Sequence, residues 1–210
     1  MDLGPLRAAI ESGDRPTAIR LTSEAIAQGT DPAAILGAMT AAMATVGDRF
    51  SANEIYVPEM LISARAMKAA VALLEPLLVD VGVRPDTTAV IGVVKGNLHD
   101  IGKNLVSMMW KGANIAVVDL GTDVTPDRFV DAARTHGARV VGVSALLTTT
   151  MTGMRDVVSA VRAAGLHDVK VVVGGAPVTA EFAAEIGADG YAATAPAAVE
   201  LVKRLIRSRV

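Results

Sequence analysis

The sequence predicts an α/β protein in two sections: a small four-helix bundle, then a five-stranded parallel sheet with helices on both of its faces. Two patterns carry this reading. Residues 1–84 show helix signals only, with apolar residues three and four apart and with caps and prolines at segment starts. Residues 87–210 alternate short β-branched runs with helical stretches. Those runs are continuously apolar, as strands buried on both faces are.

In the bundle, Asp14 and then Pro16 mark a cap and a first-turn proline, and Gly29 marks the stop. Asp31-Pro32 repeats the start signal, for a helix running to about Phe50. The fourth helix begins near Pro58, and Met60, Leu61, Ala64, Met67, Val71, Leu74 and Leu78 give it one apolar stripe. Short loops between four helices predict a bundle, and "VGVRPDT" (81–87) is the linker.

The strands are predicted at 88–94, 114–118, 139–144, 169–173 and 189–192. The helices between and after them fall near 101–112, 126–136, 151–164, 178–187 and 196–208. Five βα units of this size predict a doubly wound, Rossmann-like sheet, with the flavodoxin-like order 2-1-3-4-5 favoured. Ligands of such sheets bind at the carboxyl ends of the strands. Those ends read "KGNLHDIG", "DLGTD", "SALLTTTM", "GGAPVT" and "ATAP", which gather small and polar residues in an otherwise apolar chain.

Composition excludes several classes. Charged residues are 20% of the 210 and the net charge is −2, so nothing points to a nucleic-acid partner. The basic tail 202–210 reads as the solvated face of a last helix. Without cysteine there is no disulfide, thiolate zinc or thiol catalysis. The N-terminus lacks an apolar signal core, and no run approaches the roughly 20 residues of a membrane span. A soluble cytoplasmic protein is expected.

The loop "GNLHDIGKN" (96–104) follows the first strand. As a phosphate loop it fails: five residues separate Gly96 from Gly102, and Asn104 follows Lys103 where a magnesium-binding hydroxyl is required. No G-x-G-x-x-G is present, and Ser144 stands where a phospho-receiver would need an aspartate. Asn97, His99 and Asp100 are an unconvincing acid–base set, since adjacent turn residues diverge and Asp100 is placed to cap the helix from Ile101. His136 precedes Gly137 at a helix end and His167 is a loop residue. His99 differs, for it lies on the ligand-binding edge with glycines on both sides that admit a large planar group.

At these positions the chain resembles a known family. Asn97-x-His99-x-x-Gly102 is similar to the D-x-H-x-x-G signature of cobalamin-binding domains, Ser144-Ala-Leu146 to their S-x-L, and Gly174-Gly175 to their G-G. The motifs stand in the family's order and on the predicted strand ends. Residues 46–70 resemble the helical cap module that precedes this domain in corrinoid proteins and in methionine synthase. The resemblance covers nearly the whole chain and implies a cap domain at 1–84 and a cobalamin-binding domain at 87–210.

The resemblance implies cobalamin, as methylcobalamin and cob(I)alamin, bound with its own base displaced and with His99 as axial ligand to cobalt. Gly96, Asn97, Leu98, Asp100, Ile101 and Gly102 would surround that ligand. Ser144, Leu146, Thr148, Thr150, Gly174, Gly175, Ala176 and Ala195 would complete the cofactor site. The displaced tail needs a slot lined by small residues, which Ser144, Gly174, Gly175 and Ala176 provide. Bulk at Gly175 or Ser144 is expected to block uptake with a modest effect on folding. In the family an aspartate backed by a hydroxyl orients the histidine; here Asn97 and Thr150 hold those places, so the acidic proton relay is in doubt while cofactor binding is not.

The implied function is a corrinoid carrier that shuttles a methyl group between a substrate methyltransferase and an acceptor methyltransferase, with a reductive activase as a further partner. No complete reaction is expected of this chain alone, because the cofactor carries the chemistry. The alternatives are a cobalamin-based sensor, which would add a DNA-binding segment for which the chain has no room, and an adenosylcobalamin mutase subunit. The methyl donor is chosen by partners and is not written in this sequence.

Overall fold

The structure, a computed structural model, describes residues 1–80 and 84–207. The first three residues of the predicted linker (81–83) and the end of the predicted last helix (208) lie outside the described residues. The chain forms two compact units, Met1–Pro85 with Lys111–Asn114, and Asp86–Trp110 with Ile115–Val210.

The first unit holds α1 (Gly4–Glu11), α2 (Arg15–Ala27), α3 (Pro32–Ser51) and α4 (Val57–Asp80). The start signals act as read: Asp14 accepts from Thr17 N at 3.1 Å and Asp31 from Ala33 N at 3.0 Å, each ahead of a first-turn proline. Gly29, at φ 69°, ends α2 in the left-handed conformation glycine tolerates. Leu6, Ile10, Ile35, Met39, Val46, Met60 and Leu74 are wholly buried and form the unit's core. On α4 the stripe is narrower than its spacing implies, with Leu61 and Val71 only half-buried. A Cβ on Gly13 would lie 2.6 Å from Ile62, so the turn after α1 sits directly against α4.

The second unit is a sheet of β1 (Thr87–Val93), β2 (Ile115–Asp119), β3 (Val140–Ser144), β4 (Lys170–Gly174) and β5 (Gly190–Ala192). All pairings are parallel and the order is β2-β1-β3-β4-β5, as the sequence predicts. Its helices are α5 (Ile101–Gly112), α6 (Pro126–Thr135), α7 (Thr148–Met151), α8 (Gly153–Ala163), α9 (Ala180–Glu185) and α10 (Ala195–Arg207). The helix expected over 151–164 is α8, and one additional turn, α7, precedes it.

Both faces of the sheet are packed. Val141 and Val143 join Phe129 of α6 and Met154, Val157 and Val161 of α8 in one core. The intervening Gly142 faces the other way, where its missing Cβ would be 2.6 Å from the Trp110 ring of α5. Trp110 is 1% exposed, and its Nε1 donates to Ala198 O at 3.2 Å, tying α5 to α10. Gly92 makes the matching notch for Phe129, at 2.8 Å. Aromatic rings of this size set the spacing between helix and sheet, and glycines in the strands let them lie close.

Candidate functional site

The site builds from the carboxyl end of β1, where Gly96 turns the chain at φ 82°. Asn97 then folds inward and is 1% exposed, while Leu98 and His99 stay exposed. The His99 N–H, which can only donate, faces Asn97 Oδ1 at 2.9 Å and so fixes the orientation of the amide. That oxygen is also 3.1 Å from His99 Nδ1, so Nδ1 is the nitrogen that donates, and in the neutral ring the lone pair is left on Nε2. Asn97 Nδ2 donates to Thr150 Oγ1 at 3.2 Å, and Thr150 Oγ1 donates to Leu147 O at 3.0 Å. The run therefore proceeds in one direction, from imidazole to amide to hydroxyl to a backbone carbonyl. Each member is satisfied, and an exposed ring is held in one tautomer.

Exposed apolar side chains stand on the same strand-end loops as this imidazole. Leu98 is 74% and Ile101 77% exposed, and Leu146 and Leu147 are 43% exposed on the next strand end. Large apolar groups left in water along one edge mark a surface that meets an apolar ligand. A Cβ on Gly102 would meet nothing within 4 Å, so no packing inside the protein requires glycine there.

The remaining predicted residues fall as follows. Asp100 is half-buried ahead of α5, and its carbonyl accepts from Asn104 N at 2.8 Å. Ser144 ends β3 between Val93 and Gly174, Thr148 opens α7 in the open, and Ala176 is exposed. Ala195 is buried at the start of α10. Gly174 and Gly175 have a different primary reason from the open slot expected of them. A Cβ on Gly174 would lie 2.8 Å from Ala192 O, and one on Gly175, at φ 133°, would fall inside the Ala145 carbonyl oxygen. Backbone crowding between β3, β4 and β5 demands these glycines, so bulk there disturbs the fold first.

Two features escaped the sequence reading. Lys103, considered for phosphate, is 2% exposed and binds Asp119 Oδ1 at 2.6 Å, Asp119 Oδ2 at 2.5 Å and Asn104 Oδ1 at 2.7 Å. Asp123 accepts from Gly96 N at 2.7 Å. The two aspartates of "DLGTD" were the available signal, but spacing along the chain does not reveal which amide or cation they meet.

The donor set decides what can bind. Among the described residues no cluster of three or more His, Cys, Asp and Glu could hold a bare metal ion. One imidazole on an apolar edge suits a metal that brings its other ligands in a flat organic ring. A doubly wound sheet carrying such an imidazole beyond β1 has the donor that a protein binding a metal macrocycle needs. The B12 binding domain family matches residues 87–200, and a second B12 binding domain family matches residues 4–75. A corrinoid protein of Desulfitobacterium hafniense (strain Y51) is 37% identical over 209 residues, 97% of each chain. Trimethylamine corrinoid protein 2 of Methanosarcina acetivorans is 38% identical over 95% of this chain and 94% of its own. A solved cobalamin-binding protein from Desulfitobacterium hafniense DCB-2 superposes with a TM-score of 0.81 at 30% identity, over 97% of this chain and 98% of its own. The methanol:cobalamin methyltransferase complex of Methanosarcina barkeri gives a TM-score of 0.84 at 27% identity, over 96% of this chain and 78% of that one. The chain belongs to the B12-binding corrinoid proteins, and cobalamin is its cofactor.

Proposed function

We propose that the protein is the methyl carrier of a corrinoid methyltransferase system, binding cobalamin base-off with His99 as the lower ligand. The observation that carries this is the His99–Asn97–Thr150 run, which leaves one imidazole nitrogen bare on the strand-end edge. When bound, cobalamin supplies the cobalt on which a methyl group is accepted and given up. The chain's own residues do the rest. His99 offers Nε2, while Asn97 and Thr150 hold the ring's tautomer and direction. Leu98, Ile101, Leu146 and Leu147 exclude water beneath a flat apolar ring. The strand ends at Ser144, Gly174, Gly175 and Ala176 receive the displaced tail, and residues 1–84 serve as the cap module.

The partners are a substrate methyltransferase, an acceptor methyltransferase and a reductive activase. Relatives named for trimethylamine and dimethylamine, and the methanol:cobalamin methyltransferase complex, favour a small methylamine or methanol as donor. Electron paramagnetic resonance of the loaded cobalt(II) protein tests the ligand. Splitting from one protein nitrogen is expected in the wild type and should vanish in His99→Ala. A variant that keeps it would sink the assignment. Methyl transfer from a methylamine or methanol methyltransferase to the loaded protein tests the carrier role, and no transfer from any member of that donor class would remove it.

A further inference from the structure

The loop that carries His99 has little packing of its own. Of residues 96–103 only Asn97 and Lys103 are buried, and Gly96, Leu98, His99, Ile101 and Gly102 are exposed. Its path is therefore set by polar contacts: Asn97 reaches Thr150 beyond β3, and the others come from the loop after β2. Asp123 stands at φ 55°, a conformation that aspartate tolerates better than most residues. Its carboxylate accepts from Gly96 N at 2.7 Å and its own N–H donates to Asn97 O at 3.2 Å. One residue thus clasps both sides of the chain just ahead of His99. Beyond His99, Lys103 is held by Asp119, which also accepts from Gly121 N at 2.9 Å and so shapes the same β2 loop.

We propose that Asp123 is a positioning residue for the lower ligand, with the Lys103–Asp119 pair as the second hold, so that the β2 loop fixes how far His99 stands above the strand ends. This rests on the reading of His99 as the cobalt ligand. Asp123 is exposed, where a hydrogen bond adds little to global stability, while the conformation of a loop without packing depends on it directly.

The test uses the full chain loaded with cobalamin. Asp123→Gly removes the acceptor while keeping the positive φ accessible, and Asp123→Asn keeps an acceptor oxygen. In the cobalt(II) form, the glycine variant should shift the balance from nitrogen-bound toward nitrogen-free signal by about tenfold, the loss expected of one charge-assisted hydrogen bond. The asparagine variant should restore it. Lys103→Gln, at the other hold, should shift the balance in the same direction. If the glycine variant melts lower but keeps the wild-type balance, Asp123 is merely structural and the proposal fails. It fails equally if neither Asp123→Gly nor Lys103→Gln folds and loads, since the contacts then belong to the fold. His99→Ala is measured alongside: splitting that persists there overturns the ligand assignment itself, whereas splitting lost there and unchanged in Asp123→Gly overturns only the positioning role.

Discussion

At Asn97 the protein places a neutral amide where the family signature has an acid, and the neighbours show why an amide serves. Its oxygen meets two donors, the His99 N–H and Nδ1, and its nitrogen meets the Thr150 hydroxyl. A carboxylate in the same place would need Thr150 to turn its proton inward and release the Leu147 carbonyl. Removing the hydroxyl acceptor instead, in Thr150→Val, leaves a buried Asn97 donor unpaired. That should cost about 1–3 kcal/mol, read as a fall in the urea midpoint of the apoprotein. At Gly175 the backbone is the constraint. Gly175→Ala must move the Ala145 carbonyl and adopt a φ of 133°, so the apoprotein should lose at least the roughly 1–3 kcal/mol that a strained residue costs. Cofactor uptake should fall together with the melting temperature; uptake lost at an unchanged melting temperature would show that glycine at 175 serves the tail and not the fold.

At the scale of elements, β5 is three residues long and sits at the sheet edge, so it needs an anchor. Asp189 supplies it. Burial alone would push its carboxyl up, but the Val171 N–H at 2.7 Å, Arg162 at 2.5 Å and Lys170 at 3.3 Å outweigh burial and hold it below its ordinary 3.8. A depressed folded value gives stability that is present above about pH 4 and is lost as acid titrates the folded carboxylate. Asp189→Asn should therefore lower the melting temperature at pH 7, and that penalty should shrink progressively as the pH falls below about 4; a penalty that does not change with pH would show that the charge is not what matters. None of this was legible beforehand, because Asp189 and Arg162 lie 27 residues apart and meet only once β4 and β5 pair. The strands and the bundle helices were legible, since valine runs and an aspartate one or two residues ahead of a proline are local signals. The extra turn α7 was not, because Thr148–Thr150 carry no helix signal. His99 stands out by its glycine flanks, whereas Thr150, 53 residues beyond Asn97, was reachable through the family resemblance and not through local spacing.

Across the whole molecule, the helical layers lie on the sheet at a distance set by two rings in two notches, Phe129 over Gly92 and Trp110 over Gly142. Filling one notch, in Gly142→Ala, should cost about 1–3 kcal/mol by overpacking, measured as a shift in the denaturation midpoint. Trp110→Phe alone should also cost stability, because it opens a cavity and frees the Ala198 carbonyl. The double variant should be more stable than the sum of its parts, since the methyl group enters the space the larger ring vacates; strict additivity would show that ring and notch do not interlock. The pairing also constrains the history of the chain. A lineage that gains a side chain at 142 first crosses an unstable intermediate, and one that shrinks the ring first crosses another. Descendants should therefore keep glycine with tryptophan or change both together, so the two positions are inherited as one character.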